Sequence, residues 1–299
     1  MQRTGYRSGF VMLLGRPSSG KSTLVNALCG HKVSIVSSVP QTTRNTIRGI
    51  VNDPRGQIVL LDTPGFHTSE RAFNLKLREV VTDHLSEAEV LLYLIDPTRP
   101  PGEEEQAIAG IVRSLEVPRV VVITKTDSPR AKVDGARRFL AEERLEELPV
   151  VEVGGLHEPQ GATGIGQLLD AVFAELPEAA PWYPDDYYTD QPPHFRIAEI
   201  VREQAIIRSR EEVPHALFVE VADLEQDEKR IWGRVFIYVE RNSQQGILVG
   251  KKGATITAIR KESEAILSGL FPVPVRLSVQ VKVRPKWRRD AALLKRLIH

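Results

Sequence analysis

Residues 15–22 read Gly-Arg-Pro-Ser-Ser-Gly-Lys-Ser, between the apolar run "FVMLL" at 10–14 and a segment with helical character from 21 to 29. A G-x-x-x-x-G-K-S pattern in that setting constrains the chain to turn from a buried strand into a helix around an anion. Gly15 and Gly20 permit the turn that aims backbone N–H groups at phosphates, and the helix N-terminus adds a favourable dipole. Lys21 is placed to reach the β- and γ-phosphates, and the Ser22 hydroxyl to ligate Mg²⁺. Arg16, Pro17, Ser18, Ser19 and Thr23 complete the nucleotide-binding set expected here.

The rest of the first 170 residues agrees with such a turn. Apolar runs at 58–61, 90–95, 119–123 and 150–153 alternate with helix-like segments at 103–115, 131–147 and 165–175, and "TIRGIV" at 46–51 reads as an edge strand. That alternation predicts an α/β domain, a mainly parallel sheet covered on both faces. The longest apolar runs are too short to cross a bilayer and "MQRTGYRSG" lacks the apolar core of a signal peptide, so a cytoplasmic protein is expected. One cysteine, Cys29, excludes a disulfide framework.

At "PEAAPWYPDDYYTDQPPHF", 177–195, the composition changes to Pro, Asp and Tyr with no period, as in a linker. The expected division is 1–178, a linker at 179–193, and a second domain over 194–299. Its order is a helix at 194–209, strands near 215–223 and 230–240, helical turns over 242–267 and a strand at 273–283, a small α+β domain. In the last strand Val275, Leu277, Val279, Val281 and Val283 alternate with polar residues, so one face of the sheet is solvated. Charge divides with the domains. Residues 1–189 carry 20 basic and 25 acidic side chains, residues 190–299 carry 20 and 14, and from Arg241 onward 13 basic face 3 acidic, which favours a polyanionic partner.

"LLDTPG", 60–65, puts Asp62 at a strand end, where its carboxylate can hold Mg²⁺ through a water, followed by Thr63, Pro64 and Gly65, whose N–H can sense a γ-phosphate. Between the two loops, Thr43 of "PQTTRN" is the preferred second hydroxyl ligand to Mg²⁺, with Thr42 its rival. "VVITKTD" ends a strand in Thr124, Lys125, Thr126 and Asp127. A carboxylate at Asp127 accepts from N1–H and the 2-amino group of guanine, which adenine lacks, so GTP and GDP are expected over ATP. The Lys125 stem can pack over the base. Residues 9–176 resemble a translation-factor-class GTPase with three departures: Thr124 in place of Asn, Gly154 and Gly155 in place of Ser-Ala, and Phe66 where a water-orienting Gln often stands. Lys21, Thr43, Asp62 and Gly65 form the expected catalytic set, and Phe66 predicts slow intrinsic hydrolysis.

"GKKG" at 250–253 is a weak pattern alone, since "GATG" at 161–164 matches it too. Its context differs: it joins the turn "GILV" to an amphipathic helix over 254–267, with Ile256, Ile259, Ile266 and Leu267 on one face, in the basic third of the chain. Gly250 and Gly253 let a nucleic-acid backbone approach while Lys251 and Lys252 meet phosphates, the clamp of a KH module. Arg260, Lys261, Lys286 and Trp287 are further RNA-contact candidates, Trp287 by stacking a base or else packed in its own domain.

With "GRPSSGKSTLVNAL", "PQTTR", "DTPG", "HFRIAEIVRE" and "ILVGKKGATI" in this order, the chain resembles the Era family of ribosome-associated GTPases, a GTPase domain followed by a KH domain of the bacterial type. That resemblance implies a Mg²⁺-dependent GTP switch that binds small-subunit rRNA near its 3′ end on the pre-30S particle during assembly and rRNA maturation. A monomer is expected, with no DNA partner; membrane association lacks sequence support. The alternative is an RNA-binding scaffold that holds GTP and scarcely hydrolyses it. A phosphate-loop Asn linked to potassium in related proteins is Ser18 here.

Overall fold

The computed structural model describes residues 5–37, 46–63, 87–156, 161–209 and 211–287. Thr42, Thr43, Pro64, Gly65 and Phe66 lie outside them, as does the tail after Trp287. The chain forms two units: one holds residues up to Ser34 and Thr43–Asp190, the other Ile35–Thr42 and Gln191–His299.

Val-, Ile- and Leu-rich runs build the first unit's sheet from β1 (Arg7–Gly15), β2 (Ile47–Asp53), β3 (Gly56–Asp62), β4 (Val90–Ile95), β5 (Arg119–Ile123) and β6 (Val150–Glu152), in the order β2-β3-β1-β4-β5-β6. Only β2, the edge strand anticipated from sequence, runs antiparallel to its neighbour. Met12, Leu14, Leu91, Tyr93 and Ile95 pack on one face against α2 (Glu103–Ser114) and α3 (Val133–Glu142). Their alternating neighbours Val11, Leu13, Val90, Leu92 and Leu94 are equally buried, so both faces are covered, as period-2 geometry requires. The helices α1 (Lys21–Cys29) and α4 (Ile165–Glu175) contribute Leu24, Val25, Leu168, Val172 and Phe173 to the core. α3 is shorter than its expected span, 131–147, because Arg144 takes a left-handed φ of 57° and stops it, returning Leu145 to the core. The C-terminal ends of β1, β3, β5 and β6 gather at one edge, where α/β sheets bind ligands.

Of the segment expected to be a linker, 179–193, the part as far as Asp190 packs on the first unit. Wholly buried Gln57 organises it: Nε2 donates to Tyr183 O and Asn52 Oδ1, and Oε1 accepts from Trp182 N and Tyr183 N, all at 2.8–2.9 Å. Ile50 N donates to Tyr188 O at 3.0 Å, so backbone that β2 would leave open to pairing is covered. A composition rich in Pro and Asp fits such a strap as well as it fits a linker, because Trp182, Tyr183 and Tyr188 bond through backbone atoms, while the Thr189 and Asp190 side chains add ties to Arg48.

The second unit begins with α5 (Pro193–Ile207), whose proline occupies the first turn where no N–H is needed. Then come a helical turn α6 (Val213–Ala216), β7 (Phe218–Gln226), β8 (Ile231–Val239), α7 (Asn242–Val249), a 3-10 turn at Lys251–Gly253, α8 (Ala254–Ser268) and β9 (Val275–Val283). β8 lies between antiparallel β7 and parallel β9. One core joins Ile197, Ile200 and Val201 of α5, Ile259 and Leu267 of α8 and the inward residues of the sheet. In β9 the expected alternation holds for Val275, Leu277 and Val281, which are buried while Arg276, Gln280 and Lys282 are exposed; Val279 and Val283 are half-buried. Among the described residues, no helix is long and apolar enough to cross a membrane.

Candidate functional site

The phosphate loop needs its two glycines for different reasons, close approach at Gly15 and a left-handed φ at Gly20. A Cβ on Gly15 would lie 2.6 Å from Leu94 O, and Gly20, entering α1, has a φ of 99°. Lys21, 7% exposed, donates from Nζ to Gly15 O at 2.8 Å and Arg16 O at 3.1 Å. Burial lowers its ammonium to about 8, against the pull of Asp62 and Glu105. The register of β1 against β3 sets Asp62 beside Leu13, and Thr63 Oγ1 donates to Leu13 O at 2.9 Å. Both Asp62 carboxylate oxygens are buried without a hydrogen-bond partner. Desolvation raises its pKa, with Lys21 and the nearby Ser22 and Ser34 hydroxyls opposing. An orphaned buried carboxylate costs several kcal/mol in general, and with the Ser22 hydroxyl near it the oxygen donors suit a hard divalent cation, while the Lys21 ammonium suits phosphate.

Arg16 does not face a ligand with its side chain. It turns inward to form an ion pair with Glu105 of α2, whose other oxygen accepts from Tyr93 Oη at 2.7 Å, and its Nη1 donates to Pro100 O at 3.1 Å. Arg99 Nη2 donates to Pro17 O at 2.8 Å. The β4–α2 connection thus braces the phosphate loop from behind, which sequence reasoning missed. The only signal available was a tyrosine within an otherwise aliphatic buried strand.

In the base loop, Thr124 Oγ1 lies 2.7 Å from Ser19 O, and Lys125 Nζ donates to Ser18 O and Asp96 Oδ2, both at 2.7 Å. Burial pushes Asp96 up, but hydrogen bonds from Lys125 and Thr98 outweigh it and hold the carboxyl below the usual range. Asp127 Oδ1 accepts from Gly155 N at 2.8 Å. A Cβ on Gly154 would fall 2.6 Å from Thr126 Oγ1 and 2.9 Å from Asp127 N, and one on Gly155, at φ 64°, would fall 2.1 Å from Gly161 O. The two glycines that depart from Ser-Ala are therefore required by close approach.

In the second unit, the 250–253 loop has Gly250 at φ 73° and ψ 173°, Lys252 at φ 51° and Gly253 at φ 76°. A Cβ on Gly250 would meet Thr255 Oγ1 at 2.2 Å. Lys251 and Lys252 are both exposed, as a backbone clamp needs, and so are Lys261 and Lys286. Arg260 is held at 3.1 Å by both oxygens of Glu264, one of which also accepts from Leu277 N at 2.8 Å. Of the two roles open to Trp287, stacking a base or packing in its own domain, the structure shows the second. The residue is 4% exposed, lies 4.7 Å from the Phe218 ring and donates its indole N–H to Ala216 O at 2.8 Å, so both its apolar body and its donor are already used.

A phosphate loop, a carboxylate-ended strand and a base loop on one sheet edge, with a glycine-lysine loop between helices of a separate α+β unit, define a GTPase-type P-loop domain followed by a KH domain. The family model described as 50S ribosome-binding GTPase matches residues 10–125, and that for a KH domain matches 212–288. "GTPase Era" of Treponema denticola is 45% identical over 295 residues, 97% of this chain and 99% of that protein. "GTPase Era" of Borreliella burgdorferi is 39% identical, covering 98% of this chain and all of that protein. A crystal structure of an Aquifex aeolicus Era variant bound to GDP·AlF4⁻ matches with TM-score 0.86 at 32% identity over 97% of this chain and 98% of its own. Era in complex with MgGDPNP and nucleotides 1506–1542 of 16S ribosomal RNA matches with TM-score 0.87 at 31% identity, covering 98% of each chain. The chain belongs to the Era family of GTPases.

Proposed function

We propose that this chain binds GTP, hydrolyses it to GDP and phosphate, and binds small-subunit rRNA near its 3′ end through the KH unit, acting on the pre-30S particle in the cytoplasm. The observation that carries the first part is the meeting of a buried ammonium and a partnerless buried carboxylate, Lys21 and Asp62, under a loop shaped for phosphate. Lys21 now spends its protons on Gly15 O and Arg16 O. Turned outward, it meets the β- and γ-phosphates and stabilises the charge that develops as water displaces GDP from the γ-phosphorus. Mg²⁺, when bound, neutralises charge on the β- and γ-oxygens; Ser22 and Thr43 would hold it directly and Asp62 through a water. Gly65 would sense the γ-phosphate. Asp127, oriented by Gly155, reads the N1 and 2-amino edge of guanine, with the Lys125 stem over the ring.

The exposed Lys251 and Lys252 between left-handed glycines favour RNA binding at the KH loop, with Lys261 and Lys286 as further phosphate contacts. The functional division falls between the strap's end at Asp190 and the start of α5. Single-turnover hydrolysis with and without an RNA covering the 3′ end of small-subunit rRNA tests the whole reading: GTP is turned over, and the RNA binds tightly at moderate salt. Absence of hydrolysis under both conditions would overturn the enzymatic part, and absence of RNA binding the second part.

A further inference from the structure

The exposed large apolar side chains among the described residues are Trp182, Tyr187, Ile207 and Ile247, and the first two stand on the strap. Trp182 is 58% exposed and Tyr187 45%. Two side-chain amides of the sheet hold their backbone from beneath. Gln57 Oε1 accepts from Trp182 N and Tyr183 N, Asn52 Nδ2 donates to Asp185 O and Tyr187 O at 2.9 Å, and the two amides are bonded to each other. The Trp182 ring stands edge-on to Phe10 with centroids 4.9 Å apart, and the Tyr187 ring stacks on Tyr183 at 6.3 Å. Both rings are thus fixed at the root and open to solvent, which lowers the ordering cost of binding. Gln57 and Asp62 stand near opposite ends of β3, about 16 Å apart at about 3.3 Å per residue, so this surface is separate from the nucleotide site.

We propose that the outer face of the strap, centred on Trp182, Tyr187 and Asp186, is a docking surface for an arginine-rich segment of a protein partner. Charge selects that occupant. Residues 177–190 contain Glu178, Asp185, Asp186 and Asp190 and no basic residue. Asp185 and Asp186 are exposed next to Tyr187, and Asp186 makes no ion pair among the described residues. The neighbouring cations are already matched, Arg48 by Asp190 and Glu87, Arg55 by Asp53 and Asp170. Carboxylates beside open aromatic faces repel phosphate and attract guanidinium, which stacks on a ring and forks onto a carboxylate. Trp and Tyr held in this way are also the side chains that carry most of the energy at protein interfaces.

The test titrates labelled deca-arginine, deca-lysine and a ten-nucleotide single-stranded RNA onto the full-length protein at moderate salt, read by fluorescence anisotropy. Deca-arginine should bind saturably and about threefold more tightly than deca-lysine, because only guanidinium lies flat on the rings. Trp182→Ala should weaken deca-arginine binding about threefold, Asp185→Asn with Asp186→Asn by a similar factor, and the three together about tenfold, with GTP affinity as in wild type. Equal binding of the two peptides by wild type would overturn the proposal, and that comparison needs no variant. So would an unchanged deca-arginine affinity in the triple variant. Loss of RNA binding in Trp182→Ala would overturn it by making the surface a nucleic-acid site, and a wild-type dimer that Trp182→Ala dissolves, seen by sedimentation, by making it a contact between copies.

Discussion

Gly155 donates its backbone N–H to Asp127 Oδ1 at 2.8 Å, so the carboxylate proposed to select the base is aimed by a residue 28 positions further along the chain. Asp127→Asn keeps the size of the side chain and replaces an acceptor with a donor. It should exchange guanine for xanthine preference; competition between GTP and XTP measures this, and unchanged guanine selectivity would remove Asp127 from base recognition.

Gly154→Ala places a methyl 2.6 Å from Thr126 Oγ1 and 2.9 Å from Asp127 N, inside contact distance of backbone that cannot yield. Guanine-nucleotide affinity should fall at least tenfold, read by fluorescent GDP titration, while RNA affinity measured without nucleotide stays as in wild type.

The lowered pKa of Lys21, about 8, has a linkage consequence. In the free protein the neutral amine gains population above pH 8, whereas a bound phosphate favours the ammonium, so nucleotide binding takes up protons. Binding should be accompanied by uptake of about half a proton at pH 8 and close to none at pH 7. Calorimetry in buffers of different ionisation enthalpy reads this directly, and proton release at pH 8 would contradict it.

Replacing Lys251 and Lys252 together by Asp should weaken RNA binding at moderate salt and flatten its salt dependence. Lys252→Gly separates charge from conformation. The left-handed φ of 51° suits glycine, so stability should hold or rise by about 0.5 kcal/mol while RNA affinity falls with loss of one cation. Thermal melts and binding at two salt concentrations distinguish the two effects.

Glu105→Gln leaves the inward-turned Arg16 without a counter-charge in a buried site. Loss of about 3 kcal/mol of stability is expected from denaturant unfolding, together with weaker nucleotide binding, because the brace behind the phosphate loop is gone.

Gly15, Gly20, Lys21 and Asp62 stood out in the sequence as candidates because phosphate and metal binding would demand those residues at fixed spacing after strands, and the strands show as aliphatic runs. The KH unit was legible from element order and local charge around Lys251 and Lys252. Trp287 stayed open between two roles, since a tryptophan in a basic tail reads the same whether it waits for a base or, as here, packs on Phe218 and gives its N–H to Ala216. The Pro- and Asp-rich strap misled for a related reason. Its bonds to Gln57 use backbone atoms, which carry no signal in composition, and its side-chain ties, Thr189 to Arg48 O and Arg48 to Asp190, join positions far apart in the chain.

The sequence by itself determined the order of the elements, the phosphate loop, the choice of carboxylates and the position of the basic loop, all set by local spacing and period. Only the tertiary structure decided that Arg16 faces Glu105 rather than a ligand, that Thr124 holds Ser19, and that Gly155 aims Asp127. Those three relations join residues from 28 to 105 positions apart in the chain, and such pairings exist only once the sheet has brought the ends of separate strands to one edge.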